Sequence, residues 1–142
     1  MVVKDIMYRN IIKVPSTTTV VEATRIMDKN NIGCVLATEG DKTVGIMTER
    51  DVLKKVVAAR RNCEKTTVKE VMTSPLITIE SDTTIEEAND FMEKNKIRRL
   101  VVTDNGKIAG IITIRDIARN YKYSIARKIL GKEYGRVSYG NN

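Results

Sequence analysis

Histidine and tryptophan are absent from the 142 residues, and there are only one phenylalanine, two prolines and two cysteines. Without histidine, the chain lacks the commonest general base and the usual partner of a serine or cysteine nucleophile. The cysteines, Cys34 and Cys63, lie far apart with no CxxC spacing, which leaves no ligand set for a structural zinc. Catalysis would have to rest on carboxylates or lysines, and no paired-carboxylate cleft or activated nucleophile can be located among them. The chain therefore reads as a non-enzyme with no catalytic cofactor. Few aromatics mean a core of Val, Ile, Leu, Met and Ala, which suits helices packed on sheet. No apolar run approaches the roughly 18 to 20 residues of a membrane span. The opening MVVKDIMYRN lacks a signal peptide's charged head and apolar stretch, so the expectation is a soluble, cytoplasmic protein.

The length suits one compact unit or two intimately packed halves. The formal charge of +7 is unevenly placed: residues 1–65 carry +4, residues 66–121 carry −1 and residues 122–142 carry +4. Such a surplus steers anionic ligands, nucleic acid or acidic membrane without dictating a fold.

The strongest pattern is an internal duplication. Displaced by 65 residues, Lys4–Val56 aligns with Lys69–Tyr121 without a gap. Met7 meets Met72, Glu22-Ala23 meets Glu87-Ala88, Met27 meets Met92 and Ile32 meets Ile97. Gly45-Ile46, Thr48 and Arg50-Asp51 meet Gly110-Ile111, Thr113 and Arg115-Asp116. Each copy predicts a strand, a helix, two strands and a second helix. Residues 11–14 and 76–79 are short β-rich runs followed by turn residues. Ser16-Thr17-Thr18 and Ser81-Asp82-Thr83 offer N-caps for helices whose apolar stripes are Val20, Ala23, Met27 and Ile85, Ala88, Met92. Asn30-Asn31 and Asn95-Lys96 end those helices. Hairpin turns fall at Glu39-Gly40-Asp41 and Asp104-Asn105-Gly106, and the second helices begin near Glu49 and Ile114. The charged linker, about Ala58–Thr67, has no Pro or Gly and is expected to continue the preceding helix. Each copy leaves a sheet face needing cover, so the expectation is one globule with pseudo-twofold symmetry. Beyond it lies a basic tail, 123–142, with a weakly amphipathic stretch at Ile125-Ala126 and Ile129-Leu130.

The duplicated blocks GIMTERDV and GIITIRDI, each preceded by a helix, a short polar turn and Ile, resemble the tandem cystathionine-beta-synthase (CBS) domain pair, or Bateman module. The likeness covers residues 1 to about 121, divided as a first domain over 1–62 and a second over 66–122. It implies an α/β (α+β) fold of two β-α-β-β-α repeats packed sheet to sheet, with clefts that often hold AMP, ADP, ATP or S-adenosylmethionine, and it implies a homodimer. Carried over by position, the ribose contact falls on Asp51 and Asp116, whose carboxylates accept bonds from a 2′/3′ diol. Thr48 and Thr113 would bond the ribose or α-phosphate from the same turn, and Arg50 and Arg115 lie between. Thr18 with Ala23, and Thr83 with Ala88, match positions lining the cleft; Ile32 and Ile97 match positions bordering the base. Arg98 and Arg99 stand where nucleotide-binding members commonly place basic phosphate contacts, whereas the first copy has Gly33-Cys34. The copies are therefore expected to be unequal, with the second better equipped for phosphate. The strand proline common in the family is replaced by Leu36 and Val101.

Other readings compete. Thr48-x-x-Asp51 and Thr113-x-x-Asp116 also fit a helix capping box, and capping and ligation can coexist. Ala23, Ala88, Ile32 and Ile97 are core residues by default, and Arg98 and Arg99 fit a solvated surface. Two alternatives to an adenosine-binding module stay open: a dimerisation or protein-interaction module with vestigial clefts and an unknown protein partner, and nucleic-acid binding through the basic tail, although no helix-turn-helix, aromatic platform or zinc finger accompanies it.

Overall fold

A computed structural model describes the backbone of Met1–Leu130 and the side chains of residues 1–122; the tail expected at 123–142 lies outside the described side chains. The fold is α+β. It has two three-stranded sheets with the elements β1 (Lys13–Pro15), α1 (Val20–Asn30), β2 (Cys34–Glu39), β3 (Lys42–Thr48), α2 (Glu49–Val52), α3 (Val68–Val71), β4 (Thr78–Glu80), α4 (Ile85–Lys94), β5 (Arg99–Asp104), β6 (Lys107–Thr113) and α5 (Ile114–Leu130). In the first sheet β1 runs parallel to β2 and β2 antiparallel to β3. The second sheet repeats this order with β4, β5 and β6. Even the irregularity is duplicated, since the ladder slips between Ala37 and Thr38 in one copy and between Val102 and Thr103 in the other.

The chemistry anticipated for each element is largely what builds it. The buried residues of α1 are Val20, Ala23 and Met27, and those of α4 are Ile85, Ala88 and Met92. The helix N-caps fall one residue later than the sequence suggests. Thr19 Oγ1 accepts from the Glu22 N–H at 3.3 Å and Thr84 Oγ1 from the Glu87 N–H at 3.1 Å. Thr18 and Thr83 are displaced from that role because their carbonyls are taken by other chain segments, accepting from the N–H groups of Val68 and Val3, both at 2.8 Å. The helices close on left-handed residues, Asn31 and Lys96, and the hairpins turn through positive φ at Gly40 and at Asn105-Gly106. The short parallel strands begin at Lys13 and Thr78, two residues beyond the apolar runs that announced them.

The compact units cut across the repeats. The first unit, built on the first sheet, comprises Asn10–Ile77, and the second comprises Met1–Arg9 with the described residues from Thr78. Each repeat's opening segment thus packs on the body of the other repeat. Tyr8 and Ile111 exchange two backbone hydrogen bonds of 2.8 Å, and Thr73 and Ile46 exchange the equivalent pair at 2.8 and 3.0 Å. Gly110 and Gly45 permit this approach. A Cβ on Gly110 would stand 2.6 Å from Met7 Sδ and 2.8 Å from the Tyr8 carbonyl oxygen; on Gly45 it would stand 2.5 Å from Met72 Sδ and 3.0 Å from the Thr73 oxygen. The incoming apolar residues then complete each core: Val68 and Val71 join Val20, Ala23, Met27 and Met47, while Val3 and Met7 join Ala88, Met92, Leu100 and Ile112.

The expectation that the linker prolongs the preceding helix is not met. Past Val52 the helix widens into a single π turn, Leu53–Val57, and Arg60 adopts a positive φ of 57°. The linker is instead pinned to α1, whose first N–H groups, on Val20 and Val21, donate to the carbonyls of Thr66 (2.8 Å) and Cys63 (3.0 Å). These bonds satisfy donors that a helix start leaves open. At the start of α3, Glu70 accepts from the Thr67 N–H at 2.7 Å and from the Thr67 hydroxyl at 3.1 Å, with Arg61 at 2.7 Å. The Thr67 bonds, followed by the Arg61 charge, hold its carboxyl below the usual carboxylate range.

Replacing Gly110 by alanine should lower stability by about 1–3 kcal/mol, the usual range for overpacking against atoms that cannot all move. The check is a thermal melt, in which a loss of several degrees is expected and an unchanged midpoint would contradict the close approach.

Candidate functional site

In each unit the last strand passes directly into its second helix, and the joint is built by two side chains. Thr48 Oγ1 accepts from the Asp51 N–H at 3.2 Å, while Asp51 Oδ2 accepts from the Thr48 N–H at 2.9 Å and lies 3.2 Å from the Thr48 hydroxyl. In the second unit the corresponding distances between Thr113 and Asp116 are 3.1, 3.0 and 2.9 Å. Both are therefore complete capping boxes, which satisfy a helix-start donor and the cap's own N–H reciprocally. The strand alternation and the box together fix where each aspartate carboxylate stands.

The neighbouring strand delivers further groups to the same place. Arg99 opens β5 and is the register partner of Thr113 at the end of β6, and the Arg98 carbonyl accepts from the Ile114 N–H at 2.9 Å. Arg98, Arg99, Thr113, Arg115 and Asp116 are thus brought to one end of the second sheet. Arg98 and Arg115 are exposed, and Arg99, Thr113 and Asp116 are partly buried. Ile97 leads into this strand half-buried, packed on the second core. The first unit has the same backbone arrangement, with Cys34 opposite Thr48 and the Gly33 carbonyl accepting from Glu49 N–H at 3.1 Å. It has no cation at either strand position. Arg50 is exposed there, and Ile32 is half-buried against the first core.

The remaining positions are placed differently. Ala23 and Ala88 are fully buried members of the two cores. Thr83 belongs to the far end of the second sheet, where the Ser81 N–H donates to the Thr103 carbonyl, several residues along β5 from Arg99. Thr18 lies beyond Ser16, which bonds Thr38 in the same way. Neither threonine is gathered to the aspartate turn of its own unit.

One participant escaped the sequence reading. Lys55 Nζ lies 3.1 Å from Asp51 Oδ1 and donates to the Val71 carbonyl at 2.9 Å. The i,i+4 spacing from Asp51 to Lys55 is the signal that would have found it. At the equivalent place in the second unit stands Asn120, whose side chain donates along its own helix to the Asp116 carbonyl at 2.8 Å. Among the described residues no group of His, Cys, Asp or Glu side chains is arranged to hold a metal, and no helix is long and apolar enough to cross a membrane.

The comparisons with known proteins agree with this architecture. The CBS domain family model matches twice, over residues 3–58 and 68–123. A relative from Methanopyrus kandleri, an uncharacterized protein, is 38% identical over 126 residues, which are 87% of this chain and 64% of that one. The CBS domain-containing protein YhcV of Bacillus subtilis is 29% identical over 139 residues, spanning 98% of this chain and 96% of its own. Among solved structures, a CBS-domain containing protein from Agrobacterium tumefaciens superposes with a TM-score of 0.77 at 28% identity, covering 85% of this chain and 99% of that one. The chain belongs to the CBS domain family and carries a tandem pair of these domains. Such pairs are generally regulatory or ligand-binding modules.

Proposed function

We propose that this chain is a ligand-sensing regulatory module that takes an adenosine-containing ligand, an adenine nucleotide (AMP, ADP or ATP) or S-adenosylmethionine, and performs no chemistry on it. The observation that carries this reading is the Thr113–Asp116 turn with the arginine-bearing strand end beside it. A carboxylate accepts hydrogen bonds from a ribose diol, and guanidinium groups on Arg98, Arg99 and Arg115 offer paired, charge-assisted donors to phosphate. The capping box holds the carboxylate before any ligand arrives, which lowers the ordering cost of binding. The ligand acts by favouring the arrangement of the chain that it binds best.

A second reading, compatible with the first, is self-association. A groove of about 320 Å³ lies between α4 and α5, lined by Ile85, Ile114, Ile117 and Tyr121 with Glu86 and Asp90 at its polar side. Tyr121 is 51% exposed and Ile114 38%. An apolar groove of this kind suits the helices of a second copy, giving a homodimer.

Two measurements test these readings. A ligand at about 100 times its dissociation constant stabilises a fold by roughly 2.7 kcal/mol, so AMP, ADP, ATP or S-adenosylmethionine should raise the melting temperature by several degrees. Asp116→Ala should abolish the rise, while flat melts with every compound would reject the adenosine reading. For self-association, light scattering should give the mass of a dimer that Tyr121→Glu converts to a monomer; equal masses for both chains would count against that groove as the interface.

A further inference from the structure

The two aspartate turns are superimposable in sequence, yet their carboxylates are engaged differently. In the first unit both oxygens of Asp51 are occupied. Oδ2 is held by the Thr48 N–H and hydroxyl, and Oδ1 faces the Lys55 ammonium at 3.1 Å. The Asp51 side chain is only 12% exposed, against 44% for Lys55. Lys55 is also tethered at its far side by the Val71 carbonyl, at 2.9 Å. That carbonyl belongs to α3, on the segment that crosses from the second repeat to complete this unit. The ammonium therefore links the Asp51 carboxylate on its own helix to the Val71 carbonyl of α3.

In the second unit Asp116 Oδ2 is held in the same way, by the Thr113 N–H and hydroxyl. Among the described residues Oδ1 of Asp116 has no hydrogen-bond or ion-pair partner. Asn120 stands where Lys55 would, carries no charge, and directs its amide to a main-chain oxygen of its own helix. The helix also differs: the first unit's second helix opens into the π turn Leu53–Val57 around Lys55, whereas α5 is regular through the corresponding turn. This π turn is the last turn of the helix, which ends at Val57.

We infer that Lys55 is an internal lock that closes the first repeat's aspartate to ligand, so that the chain binds one adenosine-containing ligand, at Asp116. This rests on the adenosine reading above and settles which copy carries it. A ribose diol donates two hydroxyl protons and needs an open carboxylate oxygen. At Asp116 one is open; at Asp51 the diol must first displace an ammonium that already neutralises the charge. The cations sort the same way, with Arg98 and Arg99 in the second unit at the places of Gly33 and Cys34 in the first.

The experiment is calorimetric titration of the full chain with AMP, using the wild type, Asp51→Asn, Asp116→Asn and Lys55→Met. Asparagine keeps the shape of the turn and methionine keeps the lysine stem, and a melt of each variant verifies folding. The expected results are one AMP per wild-type chain, affinity within about twofold in Asp51→Asn, a loss of tenfold or more in Asp116→Asn, and a second binding event in Lys55→Met. Two AMP per wild-type chain, a single site lost in Asp51→Asn but kept in Asp116→Asn, or no second event in Lys55→Met would overturn the lock while leaving the adenosine reading standing. Absence of binding to both wild type and Lys55→Met, repeated with ATP and S-adenosylmethionine, would remove the adenosine reading and the lock together.

Discussion

The carboxylate that grips the N–H of a threonine three residues before it, at each strand-to-helix joint, is the interaction on which the rest of the candidate site depends. It terminates the last strand, starts the second helix and leaves an aspartate in a fixed attitude at the sheet's end. A capping box uses one oxygen of its acid fully. What the other oxygen meets is then set by the residue one helical turn further on, Lys55 in one copy and Asn120 in the other. Duplication preserved the joint, and the two aspartates differ in what stands one helical turn on, a lysine in one copy and an asparagine in the other.

That difference is tied to the way the units are assembled. The Val71 carbonyl that anchors Lys55 is supplied by the segment that crosses between repeats, and the same segment passes over Gly45 because no Cβ stands in its way. The exchanged segment therefore supplies both the cover over Gly45 and the acceptor that holds Lys55. Val68 and Val71 seal the first core on one side of α3, and the carbonyl end of that helix faces the lysine. In the second unit Val3 and Met7 perform the sealing, and position 120 is asparagine.

Most of this fold was legible in the chain because its signals are local and occur twice. The apolar stripes of α1 and α4, the glycine and asparagine turns of the hairpins, and the start of α5 at Ile114 each follow from periodicity and turn chemistry. The N-caps at Thr19 and Thr84 were displaced by one residue because distant segments claim the carbonyls of Thr18 and Thr83, a tertiary effect that no local pattern records. The π turn and the end of the helix at Val57 were hidden for a similar reason, since helix-favouring residues continue beyond it while Thr66 and Cys63 are held by α1. Of the candidate site, the aspartate turns were visible as a spacing, and the meeting of Arg99 with Thr113 required the strand register. The exchange of opening segments was signalled only by paired glycines at Gly45 and Gly110, whose meaning depends on what passes over them.

The central claim, that one aspartate is held ready while its twin is locked, is tested most directly by a crystal structure of the chain grown with AMP. The account predicts ribose hydroxyls on the carboxylate of Asp116, with Lys55 still bridging Asp51 and the Val71 carbonyl. Ribose on Asp51 with Lys55 swung away would contradict it.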